Sequence, residues 1–302
     1  DLVSLLSGRD FKTKEFREDI VADSYQKLDQ GLLNFMNHYN FDQFVLAIKG
    51  AGFCSSKLLN SAMTMDFAYT LYLLLLNDPA IPNDQIKRYV QKWFVLSTLT
   101  SRYIGSPESQ MDRDMRSMEE KGFLAFLEEV EASALSDNFW FVTLPQNLET
   151  SAVNSPVFNV FLAAQIRLNA NSLLMHGTKV SDLIAISGDI HHIFPRAYLK
   201  KNGVDSKTKY NQVANYIYLD TQINKAISDS APCDYFKRAF QQCESKVPSF
   251  GNITDTTALN LNLEENCIPP TIVEMDASCY DAFLAERRKL MAAMIKRYYK
   301  SL

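Results

Sequence analysis

Glycine and proline are scarce in this chain, with ten of each among 302 residues. Long apolar-periodic stretches fill the space between them. That balance favours helices over an architecture of short strands and turns. Cysteine is also sparse, with five residues at Cys54, Cys233, Cys243, Cys267 and Cys279 and no C-x-x-C pair. An odd, unpaired set argues against a disulfide framework or a zinc ribbon and suits reduced thiols in a cytoplasmic protein. No signal-peptide pattern opens the sequence. The most apolar run, Phe67 to Leu76, is about half the ~20 residues a membrane span requires, so it reads as a buried helix and no membrane partner is expected. A strongly basic composition is missing too, since the formal net charge is -4. This excludes a uniformly basic surface but not a local stripe of positive charge. Between Asp189 and Pro248, nine Lys and Arg stand against six Asp and Glu, a surplus of the sign that nucleic acid attracts.

What is present in the first half is a succession of helical patterns. Phe16, Ile20, Leu28, Leu32, Phe35 and Met36 recur near helical spacing between Lys14 and His38. Asn40 reads as the cap of a short helix closed by Gly50-Ala51-Gly52. A long helix is expected from Ser55 or Ser56 to Leu76, ended by Asn77-Asp78-Pro79, and another from Asn83 to Tyr103. Ser106-Pro107-Glu108 and Ser155-Pro156 are helix starts. The second opens an apolar helix from Val157 to Leu174, with His176 near its C-terminal end and Gly177 terminating it. Asp112-Arg113-Asp114 reads as a solvated helix face carrying an Asp112–Arg116 pair. Residues 1–180 are accordingly expected to form one helical domain.

The pattern changes after Ser181. Asp189–Phe194 and Asn215–Leu219 are short β-prone runs joined by a Lys-rich connection. Asn224 to Ile227 and Pro232 to Cys243 return to helix. Gly251 to Pro270, rich in Asn, Thr and Pro, reads as an irregular loop. Asp276 to Leu302 is expected to be a final helix with Phe283, Leu284, Leu290, Met291 and Met294 inward and Arg287, Arg288, Lys289, Lys296 and Arg297 outward. The expected fold class is mainly α: a helical bundle with a small ββα-metal finger over residues 181–248, followed by a loop and a helix packing back on the bundle over 249–302.

Two of the only four histidines are adjacent at His191 and His192, and Pro195, Asn215 and Asn224 follow them. Phosphodiester hydrolysis needs a base for the attacking water and a cation at the phosphate. Neutral imidazole is a suitable base near neutral pH. Adjacent strand residues face opposite ways, so the two histidines divide best into one metal ligand and one base. An amide oxygen from Asn224 on the following helix is a fitting second ligand.

The runs DIHHIFP, NYIYL and NKAISDSAP-x-x-Y together resemble the HNH (His-Me finger) nuclease domain at the C-terminal end of GmrSD-type modification-dependent restriction proteins. They are also similar to the HNH domain of RNA-guided CRISPR nucleases. SRYIGSPESQMDRDMRSM and GFCSSKLLNSAMTMDFAYTLYL look like the helical part of GmrSD-type chains. The resemblance implies a metal-dependent DNA endonuclease, the nuclease part of a restriction or phage-defence protein acting on modified or foreign DNA. It places the general base at His192 and the metal ligands at His191 and Asn224. Asn215 falls at the middle position of the catalytic group, which hydrogen-bonds the loop and fixes the finger's shape. Asp189 and Pro195 frame the site, and Lys225 and Arg196 are candidates for phosphate contact.

The chain departs from the family in having His191 where an aspartate is frequent. The expected cofactor is Mg²⁺ or Mn²⁺, and an imidazole at that position also admits Ni²⁺ or Zn²⁺. The acidic-Gly-Gln-Gln-Arg motif of the family's nucleotide-dependent N-terminal domain does not occur, so a nucleoside-triphosphate-dependent partner domain would lie outside this sequence. The alternative is a catalytically inactive interaction module whose finger is structural and serves such a domain or another partner.

Overall fold

A computed structural model describes residues 13, 15–186 and 190–302. The protein is mainly helical, and the one sheet among the described residues has two strands. The first half is built from α1 (Asp19–Phe35), α2 (His38–Gly50), α3 (Ala62–Leu76), α4 (Asn83–Leu99), α5 (Pro107–Lys121) and α6 (Phe123–Ala134). A π-helical turn at Phe139–Thr143 leads into α7 (Leu144–Asn147), and α8 (Pro156–Arg167) follows. α3 is apolar on nearly every face and lies buried against α4, with Phe67, Trp93 and Phe126 in ring contact. Fully burying one such side chain is worth about 1.5–3 kcal/mol. No described helix is long and apolar enough to cross a membrane.

Local capping chemistry sets most of the boundaries. Asn37, not Asn40, caps α2, accepting hydrogen bonds from the N–H groups of Tyr39 and Asn40. Ser61 caps α3, so the expected long helix from Ser55 or Ser56 is split by a short 3₁₀ turn at Ser56–Leu58. Ser155 caps α8 as expected, its hydroxyl accepting from the Phe158 N–H. That helix stops at Arg167 rather than Leu174, because Asn169 adopts a left-handed φ of 58°. His176 therefore sits in the following turn, where its N–H donates to Asn252 Oδ1 at 2.6 Å. After α2, Gly52 has φ +99°, and a Cβ there would come within 2.1 Å of the Ala163 carbonyl oxygen. Only glycine lets α2 and α8 approach this closely.

Several polar assignments are overturned. Asp112 and Arg116 pair on an exposed face as expected, but Asp114 is buried. Its carboxylate accepts two hydrogen bonds from Arg102 at 2.6 and 2.7 Å, with one from Tyr103 and one from Gln110. Gly251–Pro270 is not loop throughout, since Asp255 caps a ten-residue helix, α14 (Thr256–Glu265). In and around α1, Phe16, Leu32, Phe35 and Met36 of the expected apolar face are exposed.

The second half runs through α9 (Val180–Ala185), β1 (Ile190–His192), α10 (Arg196–Lys201), α11 (Lys207–Tyr210), β2 (Tyr216–Tyr218), α12 (Thr221–Ile227) and α13 (Pro232–Ser245). After α14 the chain ends in α15 (Tyr280–Ser301), which packs along α7 and α8 and against the turn preceding β2. Phe283, Leu284, Met291 and Met294 face inward as expected. Arg287 does so too, against its expected outward position, and is fully buried. One continuous set of buried apolar residues runs from Phe44 to Leu302.

Candidate functional site

β1 and β2 pair antiparallel, with Ile190 opposite Tyr218, His191 opposite Ile217 and His192 opposite Tyr216. α12 follows two residues after β2, its N-terminus capped by Asp220, whose carboxylate accepts from the N–H groups of Gln222 and Ile223. β1, the start of α10 and α12 frame an open cleft of about 450 Å³. Its lining includes His191, His192, Pro195, Arg196, Asn224 and Ser228. Five of the residues expected at the site thus meet in one place, although His191 and Asn224 are 33 positions apart. Asp189 lies outside the described residues.

His192 is half-buried, and its ring stands edge-on to Tyr216, its cross-strand partner, with centroids 5.3 Å apart. His192 Nε2 is 2.9 Å from Asn211 Oδ1. In the tautomer in which Nε2 donates to that oxygen, Nδ1 keeps its lone pair. Burial pushes the imidazole below its ordinary pKa of 6.5. The hydrogen bond with Asn211 opposes the shift, and the nearby Arg196 and His191 add to it. The ring is held neutral at physiological pH, the state a proton acceptor needs.

Asn215 does not line the cleft. It is completely buried, and its amide is used up by the backbone behind the histidines. Oδ1 accepts from the Phe194 N–H at 2.8 Å, and Nδ2 donates to the Phe194 and Tyr210 carbonyls at 3.1 Å each. Its main-chain oxygen accepts from the Ile193 N–H at 2.9 Å. These bonds fix the path of the chain just after β1, so Asn215 holds the backbone that carries the histidines and does not reach the cleft. Pro195 is buried at the start of α10, where its fixed φ suits the residue before a helix.

Asn224 lies on α12 and is half-buried, and its side-chain amide has no hydrogen-bond partner among the described residues. Ser228 ends α12 with φ 52° and ψ -113°, its N–H bonded to the Asn224 carbonyl. This is a strained conformation for a residue with a side chain. Lys225 is exposed on α12 but does not line the cleft, whereas Arg196 is exposed and does.

Among the described residues, no group of three or more His, Cys, Asp or Glu side chains is placed to hold a metal ion. A closed zinc site with four protein ligands is therefore not what these residues build. His191 and Asn224 bring one imidazole and one side-chain amide to the same cleft, donor types that a divalent cation accepts.

Three contributors escaped the reading of the sequence. Asn211 gives no signal beyond lying four positions before Asn215. Tyr235, buried, donates its hydroxyl to the Ile193 carbonyl at 2.7 Å; it closes the NKAISDSAP-x-x-Y run, but its target was not legible. Arg287 carried a signal in its spacing, because it continues the Phe283, Met291, Met294 stripe of α15.

Comparison of the chain with protein-family models, with curated proteins and with solved structures returns no match.

Proposed function

We propose that this protein is a metal-dependent DNA endonuclease of the HNH class, with the finger from β1 to α12 as its catalytic unit. The observation that carries the reading is the single cleft shared by His191, His192, Arg196 and Asn224, on a strand pair followed by a helix. Supporting it are the neutral, hydrogen-bonded His192 and the nine-residue interval from Asn215 to Asn224.

In the proposed reaction His192 Nδ1 takes a proton from a water molecule as its oxygen bonds to the scissile phosphorus. The phosphorus–oxygen bond on the far side breaks, and the departing oxygen takes its proton from solvent. His191 and Asn224 would hold a divalent cation, which would supply charge neutralisation at the phosphate and the leaving oxygen. Arg196, on the same cleft, is placed to contact a phosphate of the substrate. Asn211 orients the His192 ring, while Asn215 and Tyr235 hold the backbone from which the histidines project.

The test is a pair of measurements with Mn²⁺. Melting temperature should rise with Mn²⁺ concentration in the wild type and not in His191→Ala or Asn224→Ala, as mass action requires of a ligand that binds only the folded state. Plasmid DNA should be nicked or cut with Mn²⁺ and left intact with a chelator. A protein that neither shifts nor cuts is not a metal-dependent nuclease and is better described as an interaction module.

A further inference from the structure

Among the described residues Arg287 is the largest charged side chain that is completely buried, and no acid pairs with it. Burial without an acid lowers its pKa to about 10, so it remains charged at neutral pH. A buried charge of this kind persists only where oriented dipoles replace water. Here they are three main-chain carbonyls. Nη1 donates to Ala214 and Tyr216 at 2.8 Å each, and Nη2 donates to Asn266 at 3.2 Å. Nε is buried without a partner.

The two carbonyls on Nη1 flank Asn215, the residue whose amide and main-chain oxygen bind Ile193 and Phe194 immediately after the histidines. Tyr216 is also the cross-strand partner of His192. One residue, Tyr216, thus stands between the guanidinium and the base, and two, Ala214 or Tyr216 and then Asn215, stand between it and the loop after β1. The helix of Arg287 is anchored at both ends. Near its start Phe283 packs against Phe194 with tilted rings, centroids 4.7 Å apart, and near its end the Tyr298 hydroxyl donates to the Ala51 carbonyl in the bundle.

We propose that Arg287 is a positioning residue for the finger. It holds the carbonyls on either side of Asn215 and so fixes the register and placement of β2 against the strand bearing His191 and His192. A planar fork meets several carbonyls at once, whereas an ammonium is a point charge on a flexible stem. Displacing reacting groups by about 1 Å can cost on the order of 10²-fold in rate. The kinetic arm of the test rests on the nuclease reading; the exchange arm does not.

The experiment uses the full chain with Arg287→Met, Arg287→Lys and, as a control on the same helix, Tyr298→Phe. In Arg287→Met the amides of Ile193 and Phe194 should exchange about tenfold faster or more, since the bonds they make to Asn215 are weakened, while amides of α4 are unchanged. With Mn²⁺ and DNA, kcat should fall about 10²-fold with KM unchanged, and Arg287→Lys should recover part of it. Tyr298→Phe should lower the melting temperature and leave kcat alone. Wild-type exchange at Ile193 and Phe194 in folded Arg287→Met would overturn the assignment. Should Arg287→Met fail to fold, wild-type exchange and kcat in Arg287→Lys would overturn it instead. A wild-type protein that cuts no DNA removes the nuclease reading and leaves the exchange rates alone to judge Arg287.

Discussion

The same two residue types are used in two settings around the histidines, an open cleft and a buried rear face. Asn224 and Arg196 line the cleft beside the histidines, while Asn215 and Arg287 lie behind them, completely buried. On the rear face the asparagine amide and the guanidinium fork are both engaged by main-chain atoms. On the open face the Asn224 amide has no partner among the described residues and Arg196 is exposed. The difference separates shape from chemistry. Groups whose hydrogen-bonding capacity is spent on the backbone set where the histidines stand, and groups left with capacity can meet a cation or a phosphate.

Substitutions on the two faces should therefore fail differently. The largest effect on stability is expected at the rear. Asn215→Ala leaves the buried Phe194 N–H and carbonyl without partners and removes one of the two donors to the Tyr210 carbonyl, which should cost about 3 kcal/mol in denaturant unfolding. A loss within experimental error would mean the loop after β1 is held by something else.

A smaller effect is expected from pH. The proposed base acts in its neutral form, and burial places the His192 pKa below 6.5. The acid limb of a kcat/KM–pH profile should therefore lie below 6.5, with activity lost only as the pH falls through the lowered value. A limb above 6.5 would show that burial does not govern the base.

The smallest effect belongs to Arg196→Ala on the open face. It should leave stability within about 0.5 kcal/mol of the wild type. The dependence of DNA affinity on salt should become shallower by about one in the log–log slope, the signature of one lost phosphate contact. An unchanged slope would remove Arg196 from the DNA-binding surface.

Much of this division was not legible in the sequence. The two strands, α12 and α13 fall within a few residues of the β-prone runs and helical stretches read from the sequence, because Pro195 and Asp220 mark helix starts locally, whereas the Lys-rich connection between the strands folds into α10 and α11. Asn215 and Asn224 are the same residue type in the same motif, and only the tertiary fold decides which is engulfed. Arg287 was misread by type. Charge argues for solvent, yet its position on the apolar stripe of α15 was the better guide, and three carbonyls make burial tolerable. Asp114 was misread in the same way, since its partners Arg102 and Tyr103 lie across the turn before α5. α14 was hidden by an Asn- and Thr-rich composition that its Asp255 cap outweighs.

The proposed chemistry rests most directly on His192. Single-turnover cleavage of DNA in Mn²⁺ should be slower in His192→Ala by about 10²–10⁴-fold, the range for loss of a general base, with the Mn²⁺-dependent rise in melting temperature retained. Equal cleavage by His192→Ala and the wild type would contradict it.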